Sequence, residues 1–238
     1  MKISALEWSN SSASNPCDTG FAREGARMSD STLTRRRILS GGLTAGGSFA
    51  LAQGLWAGSL LRTPTQTLGP FYPTRIPLDA DNDLVRVAAH TRPAEGEVVH
   101  LFGRVLDVSG QALPGAQVEI WQCDAAGFYH HPRDRGERAD PNFQGYGRMR
   151  ADDEGRYRFR TIMPVPYPGR TPHIHFQVTA ADGRRLVTQM YIKDHPLNAG
   201  DFIYRRLRED LRPLVEVAFE PAPSIEPGSA AGTFDLVL

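Results

Sequence analysis

From residue 98 to the last residue, short apolar runs alternate with turn signals, and this repetition limits the fold more than any other feature of the sequence. Seven runs have the length and composition of strands, namely 98–108, 116–122, 157–162, 173–180, 185–193, 214–219 and 233–238. Residues 201–211 are different, because their apolar positions follow a loosely helical spacing. The pattern predicts an all-β fold, an antiparallel β-sandwich with long loops that carry the active site and one or two short helices.

Upstream of the strands, five prolines between residues 62 and 97 interrupt any long regular element, so we interpret this segment as a proline-rich arm. Within it, the sequence TLGPFYP at residues 67–73 places two aromatic residues beside two prolines, which predicts a rigid wall or lid. The predicted organisation is an N-terminal extension over residues 1–61, the arm over 62–97 and a β-sandwich domain over 98–238.

The N-terminal extension contains the sequence TRRRILS at residues 34–40, followed by an apolar run rich in glycine and alanine. It resembles a twin-arginine export signal, with a small-x-small stretch at 50–52 that predicts cleavage. The glycines make the run a poor transmembrane helix. We therefore expect a periplasmic or secreted protein without a membrane span in its mature chain. A membrane anchor and a surface helix are the alternatives, and translation can start at Met1 or at Met28.

Charge content argues against a nucleic-acid partner, and cysteine content argues against a disulfide or a cysteine-based zinc site in the mature chain. Lys+Arg and Asp+Glu both number 27, so no excess of positive charge indicates a nucleic-acid partner. The two cysteines, Cys17 and Cys123, lie on opposite sides of the predicted cleavage site. The mature chain would keep one thiol, which allows neither an internal disulfide nor a cysteine-based zinc site. Any metal must therefore be bound by His, Tyr or carboxylate side chains.

The strand that begins at His173 has the strongest chemical signal. His173 and His175 alternate with apolar residues, so both imidazoles point to one face of the strand, about 6 to 7 Å apart along it. Imidazole is the commonest side-chain metal ligand. The pattern is consistent with a metal site and also with a half-buried strand whose histidines form hydrogen bonds.

Between residues 121 and 170, turn-rich sequence holds an unusual density of Tyr, His and Arg. The acidic stretch 152–155 reads as a hairpin turn and lacks the spaced oxygen ligands of a calcium loop. The motifs GxYxH at 127–131, DPNFxGxGR at 140–148, PxPYPxR at 164–170 and HIHF at 173–176 follow one another, with TQMY at 188–191 after them. From about residue 65 to 238, the chain resembles the intradiol ring-cleavage dioxygenases, most closely the protocatechuate 3,4-dioxygenase branch.

The resemblance implies a mononuclear non-haem Fe(III) held by Tyr129, Tyr167, His173 and His175. Phenolate is a hard anionic ligand that favours Fe(III). The implied reaction cleaves a protocatechuate-like catechol with O2 to a cis,cis-muconate.

In the family pattern, Tyr167 is also displaced by the substrate and acts as a base, and Arg170 stabilises negative charge on the ring. Gln189 matches a glutamine that forms hydrogen bonds within the site. Residues 69–72, residues 129–133 and Arg148 are candidates for the substrate wall. The resemblance leaves open whether the chain forms a homo-oligomer, pairs with a related chain or works alone.

Two alternatives remain at this point. Residues 103–121 have the strand, turn, Pro-Gly-Ala, strand pattern of many non-catalytic β-sandwich binding modules. A zinc hydrolase could use His173 and His175 with a third histidine or a carboxylate. The adjacent His130 and His131 read as loop residues.

Overall fold

The computed structural model describes residues 59–134 and 138–238, and ten strands occur within them. In chain order these are β1 (Val98–Leu106), β2 (Gln117–Trp121), β3 (Tyr146–Arg150), β4 (Arg156–Ile162), β5 (His173–Thr179), β6 (Arg185–Ile192), β7 (Glu216–Val217), β8 (Glu220–Pro221), β9 (Ala230–Thr233) and β10 (Leu236–Val237). Four short 3-10 helices accompany them, at Pro132–Asp134, Asn198–Gly200, Tyr204–Arg206 and Glu209–Leu214. The predicted all-β class is confirmed.

The strands form two five-stranded sheets. In the first, β4 pairs antiparallel with one edge of β1, while β9 and β10 pair parallel with it, and β8 joins β9. The second sheet has the order β3-β2-β5-β6-β7 and is antiparallel except for the short β6–β7 pair. The long pairings are therefore antiparallel, as predicted, and the parallel ones involve two to four residues.

The turn at residues 152–155 does not join a hairpin, which corrects the prediction. Asp152 tightens the turn by accepting hydrogen bonds from the backbone N–H groups of Glu154 and Arg156, and Gly155 adopts a positive φ of 74°. However, the preceding strand β3 pairs with β2, and the following strand β4 pairs with β1 in the other sheet. The turn sequence specifies a chain reversal, but it does not specify the strand with which each arm pairs.

The apolar core lies between the two sheets, and β5 shows how it positions the site. Ile174, Phe176 and Val178 are buried in the core cluster with residues of both sheets. Each such side chain contributes about 1.5 to 3 kcal/mol when fully buried. Because side chains alternate along a strand, His173 and His175 are directed to the opposite face of their sheet.

That opposite face is covered by the proline-rich arm. The backbone N–H of Gln66 donates to the carbonyl of Val187 on β6 at 2.8 Å, and its side chain donates to Thr188 and to the carbonyl of Gln189. The six residues from His173 to Val178 are consequently buried on both faces of the sheet. The arm thus forms a wall over the histidines.

Residues 201–211 differ from the helix that their spacing favours. Tyr204–Arg206 and Glu209–Leu214 are separate 3-10 helices, because Leu207 and Arg208 between them are extended. Asp201 is the C-cap of the helix Asn198–Gly200, and its Oδ1 accepts hydrogen bonds from the N–H groups of Ile203 and Tyr204 where the next short helix begins.

Of the predicted N-terminal extension and export signal, residues 1–61, all but residues 59–61 lie outside the described residues. Within residues 59–134 and 138–238, no helix has the length and apolar character needed to cross a bilayer.

Candidate metal centre

The structure brings the imidazoles of His173 and His175 edge to edge. Their Nε2 atoms lie 3.2 Å apart. Nδ1 of His173 lies 2.7 Å from the carbonyl oxygen of Thr171, which can only accept a hydrogen bond, so this nitrogen carries the proton. Nε2 of His173 is then the unprotonated nitrogen, and its lone pair lies within 3.2 Å of both Nε2 of His175 and Nη1 of Arg170. Metal-binding histidines are usually oriented in this way, because the ring nitrogen that does not bind the metal donates a hydrogen bond.

His175 is held by ring contacts. The indole of Trp121, its register partner on β2, stacks on it at 4.9 Å with an interplanar angle of 5°. From the arm, Gly69 lies so close that a Cβ placed there would be 3.1 Å from Cε1 of His175. Nδ1 of His175 is buried, and no hydrogen-bond partner for it occurs among the described residues.

Tyr129 and Tyr167 come from two loops and close the other side of the site. Their ring centroids are 5.7 Å apart, and Tyr129 stacks on Phe71 of the arm at 4.6 Å. The ring of Tyr129 lies 6.2 Å from that of His175, and the ring of Tyr167 lies 5.5 Å from that of His173. The hydroxyl of Tyr129 is buried without a hydrogen-bond partner in the described part of the chain.

Burial has opposite effects on the two kinds of ring. It raises the pKa of Tyr129 well above its ordinary value and also raises that of Tyr167. Burial, with the nearby Arg170 cation, lowers the pKa of His173 to about 3, and burial also strongly lowers that of His175. The protein alone therefore holds neutral imidazoles, ready to bind a metal, and neutral phenols. A bound cation would stabilise the buried phenolates, because a metal strongly favours the deprotonated ligand.

Arg170 connects this group to a second set of polar residues. Its Nη1 lies 3.2 Å from Nε2 of His173 and 3.4 Å from the hydroxyl of Tyr167. Its Nη2 donates to Oε1 of Gln189 at 2.5 Å, and its Nε donates to Oδ2 of Asp201 at 2.7 Å. The predicted residues Arg170 and Gln189 are thus adjacent to the ring cluster, and the guanidinium has a fixed orientation.

Sequence reasoning missed Asp201 and Trp121. Asp201 is buried and pairs with Arg170 across 31 positions of sequence. Its only local signal is its place ahead of a helical spacing, which also fits an ordinary cap. Trp121 ends a strand, and its contact with His175 depends on how β2 and β5 pair, which no local pattern reveals.

A cavity of about 670 Å³ opens beside the ring cluster. Three segments line it. They are residues 65–67 and 69–71 of the arm, residues 167–170, and residues 202, 203, 206 and 207. Of the predicted substrate wall, residues 69–71 line it, whereas Tyr72 turns to Glu119. Tyr129 and His130 line a separate cavity of about 320 Å³, and Arg148 is an exposed residue of β3. Residues 129–133 and Arg148 do not line the large cavity, and their part in the substrate wall stays a prediction.

Within residues 59–134 and 138–238, no group of three or more His, Cys, Asp or Glu side chains is arranged to hold a metal ion. The zinc-hydrolase alternative needs such a third ligand beside His173 and His175. The structure surrounds the histidines with phenols and Arg170 instead.

Comparison with known proteins places these features in context. A family described as dioxygenases matches residues 67–238. The protocatechuate 3,4-dioxygenase beta chain of Burkholderia cepacia is 42% identical over 168 residues, covering 66% of this chain and 71% of that one. Hydroxyquinol 1,2-dioxygenase of Corynebacterium glutamicum is 35% identical, covering 47% of this chain. This chain spans 42% of the length of the latter protein.

Solved structures have the same fold. The dioxygenase domain of a dioxygenase carbohydrate-binding fusion from Streptomyces sp. SirexAA-E superposes with a TM-score of 0.58 at 28% identity, covering 74% of this chain and 97% of that one. Catechol 1,2-dioxygenase of Acinetobacter sp. ADP1 gives a TM-score of 0.58 at 28% identity, covering 74% and 62%.

Proposed function

Because this chain belongs to the intradiol ring-cleavage dioxygenases, we propose that it binds one Fe(III) and cleaves a catechol-type aromatic with O2 to a cis,cis-muconate. Tyr129, Tyr167, His173 and His175 would hold the metal. Bound Fe(III) would supply a Lewis acid that draws electron density from a catecholate and makes its ring reactive towards O2. The relatives named above suggest protocatechuate, catechol or hydroxyquinol as the parent substrate.

The observation that carries the proposal is a buried phenol hydroxyl without a hydrogen-bond partner, beside two imidazole nitrogens that converge. The hydroxyl of Tyr129 is buried without a partner, and the Nε2 atoms of two neutral histidines converge within 3.2 Å. Unsatisfied buried polar atoms are uncommon and costly in native proteins. Two phenols with two imidazoles match a hard, highly charged cation, which explains why the Tyr129 hydroxyl would be left without a protein partner.

The two tyrosines have different access to substrate, which favours different roles. Tyr167 is partly exposed and lines the 670 Å³ cavity, whereas Tyr129 is buried behind Phe71 and does not line it. Tyr167 is therefore the phenolate that an entering catechol can reach. Its Oη accepts a proton from a catechol hydroxyl and becomes a neutral phenol, and Nη1 of Arg170 lies 3.4 Å from that oxygen.

Arg170 supplies a fixed positive charge beside the substrate. Asp201 and Gln189 hold its guanidinium, so no reorientation is needed when negative charge develops on the ring during attack by O2. Preorganised charge of this kind typically contributes a factor of 10² to 10³ to a rate. Gln189 acts as a positioning residue, because its amide also donates to the carbonyl of Thr67 in the arm.

A visible spectrum of the purified protein, with iron analysis, tests the proposal. We expect a broad tyrosinate-to-Fe(III) charge-transfer band that shifts when catechol or protocatechuate is added without O2. Tyr129→Phe should weaken the band, while Tyr72→Phe, an arm tyrosine bonded to Glu119, should leave its position unchanged. A protein that stays colourless and iron-free after reconstitution with Fe(III) would refute the metal site and favour the binding-module alternative.

Export by the twin-arginine pathway is a separate part of the proposal, supported by residues 34–52. A reporter fused to residues 28–62 should reach the periplasm, and the double substitution Arg35→Lys, Arg36→Lys should block this. A reporter that remains in the cytoplasm in both forms would contradict it.

A further inference from the structure

The cavity beside Tyr167 and Arg170 is larger than a single ring requires. Its volume of about 670 Å³ lies in the range, roughly 300 to 1,000 Å³, of pockets that hold drug-sized ligands. Catechol is one ring with two hydroxyls and would leave most of this space to water. The volume therefore favours a catechol that carries a further substituent.

The lining indicates what that substituent is made of. Most of the wall is apolar, formed by Pro70, Phe71, Pro168, Phe202, Ile203 and Leu207. The charged side chains in the lining are both arginines, Arg170 and Arg206, and the lining contains no carboxylate. An apolar extension would fit the walls, and a negative charge would meet one of the two cations.

The two arginines differ in their ability to bind an anion. Arg170 already pairs with Asp201 and donates to Gln189, so its charge is compensated and its orientation is fixed. Arg206 is exposed, and in residues 59–134 and 138–238 no carboxylate forms an ion pair with it. Nearby Arg208 and Arg212 do have such partners, Asp210 and Glu209. Arg206 is thus the cation of the cavity that remains able to bind an anion.

The aromatic ring of Phe202 lies close to both guanidinium groups of the cavity. Its ring centre lies 5.7 Å from the guanidinium carbon of Arg170 and 5.9 Å from that of Arg206. Although it is a large apolar side chain, Phe202 is 55% exposed. An exposed aromatic flanked by two guanidiniums provides a surface on which an apolar group can pack between them.

We propose that the site prefers catechols whose ring carries an apolar extension ending in an anionic group, and that Arg206 is the specificity-determining residue for that anion. The inference rests on the proposed function, because it concerns the substrate of the same site. It differs from a preference for protocatechuate, in which the carboxylate is attached directly to the ring.

The test measures kcat/KM of the iron-loaded enzyme for four compounds. They are catechol, protocatechuate, 3-(3,4-dihydroxyphenyl)propanoate and the methyl ester of that propanoate. We expect the propanoate to be the best of the four. Arg206→Gln should lower its kcat/KM about fivefold, mainly through KM, because an exposed ion pair contributes a factor of this size. The values for catechol and the ester should not change.

Arg205→Gln is the matched control. It removes the adjacent exposed charge, but Arg205 does not line the cavity, so the preference for the propanoate should persist. Equal values for propanoate and ester, or equal effects of the two substitutions, would overturn the role of Arg206. A higher value for protocatechuate than for the propanoate would overturn the apolar extension. Absence of turnover with all four compounds would instead refute the proposed function.

Discussion

Arg170 and Asp201 form an ion pair that is almost completely withdrawn from solvent, with Nε 2.7 Å from Oδ2 and side chains that are 7% and 0% exposed. The same carboxylate accepts hydrogen bonds from the backbone N–H groups of Thr171, Ile203 and Tyr204. Asp201 therefore ties the start of β5 to the short helices that line the cavity. The direction in which Arg170 presents its guanidinium is set by a residue distant in sequence.

Replacing Asp201 should destabilise the protein strongly. Asp201→Asn leaves the Arg170 guanidinium buried without its counter-charge, and removal of one partner of a buried pair typically costs about 3 to 5 kcal/mol. The free energy of unfolding, from urea denaturation of the metal-free protein, measures the loss. Asp210→Asn is the control, because the Asp210–Arg208 pair is exposed and should contribute less than about 1 kcal/mol. Equal losses for both variants would contradict the prediction.

The contribution of Asp201 should also depend on pH. Burial acts to raise its pKa, but the N–H of Tyr204 and the Arg170 guanidinium outweigh this and hold the pKa below the ordinary value of 3.8. A carboxyl whose folded-state pKa is depressed stabilises the protein above its unfolded-state pKa, and this stabilisation is lost as the pH falls through the folded value.

The stability difference between the wild type and Asp201→Asn should therefore be constant near neutral pH and narrow below about pH 4. Denaturation curves of both proteins at several pH values between 7 and 3 check this. A difference that narrows already between pH 7 and 5 would show that another group is responsible.

Replacing Gly69 should disturb the metal centre through His175. Gly69 has a φ of 76°, and a Cβ there would lie 3.1 Å from Cε1 of His175. Gly69→Ala should therefore cost about 1 to 2 kcal/mol for the left-handed backbone and displace the imidazole as well.

Gly183→Ala is a matched control for this effect. Gly183 has a φ of 88°, and nothing lies within 4 Å of a Cβ placed there. Both variants should lose similar backbone stability, but only Gly69→Ala should lower iron content and shift the charge-transfer band. Identical iron content in the two variants would argue against contact between the arm and the ligand.

Arg170→Lys should separate iron binding from turnover. Lysine keeps the charge but cannot bond Asp201, Gln189 and the ring cluster at the same time, because it lacks the planar fork of donors. We expect a fall in kcat of about a hundredfold with an unchanged iron content. Unchanged turnover in a steady-state assay would refute the role assigned to Arg170.

Glu119 should be important for stability without contacting the four rings of the site. Its buried carboxylate accepts hydrogen bonds from Tyr146 at 2.5 Å, Gln177 at 2.5 Å and Tyr72 of the arm at 3.0 Å. Burial and the adjacent Glu119 carboxylate raise the pKa of Tyr72. Glu119→Ala leaves three donors unsatisfied, at about 1 to 3 kcal/mol each.

Tyr72→Phe removes one of these bonds and should cost only about 1 kcal/mol. Thermal unfolding of both variants, compared with Glu209→Ala at a side chain that is 88% exposed, measures the effect. A Glu119→Ala loss no larger than that of Glu209→Ala would contradict the role of this cluster.

Patterns with a short period were readable from the sequence. The alternation along β5 placed Ile174 and Phe176 in the core and His173 and His175 together on the other face, because side-chain direction repeats every two residues. The strand β3 was missed, since Gly145 and Gly147 gave it the appearance of a turn. The short strands β8 and β9 were missed for a related reason, because Pro221 and the small residues of β9 carry little strand signal.

The all-β class, the residue types available for chemistry and the common face of His173 and His175 could all be predicted from the sequence, because they depend on neighbours within a few positions. Three contacts could be seen only in the folded chain: Asp201 pairs with Arg170, Trp121 stacks on His175, and the arm covers β5. These contacts depend on strand register and on the closure of loops tens of residues long. Such closure is governed by the burial of the whole core and leaves no local pattern in the chain.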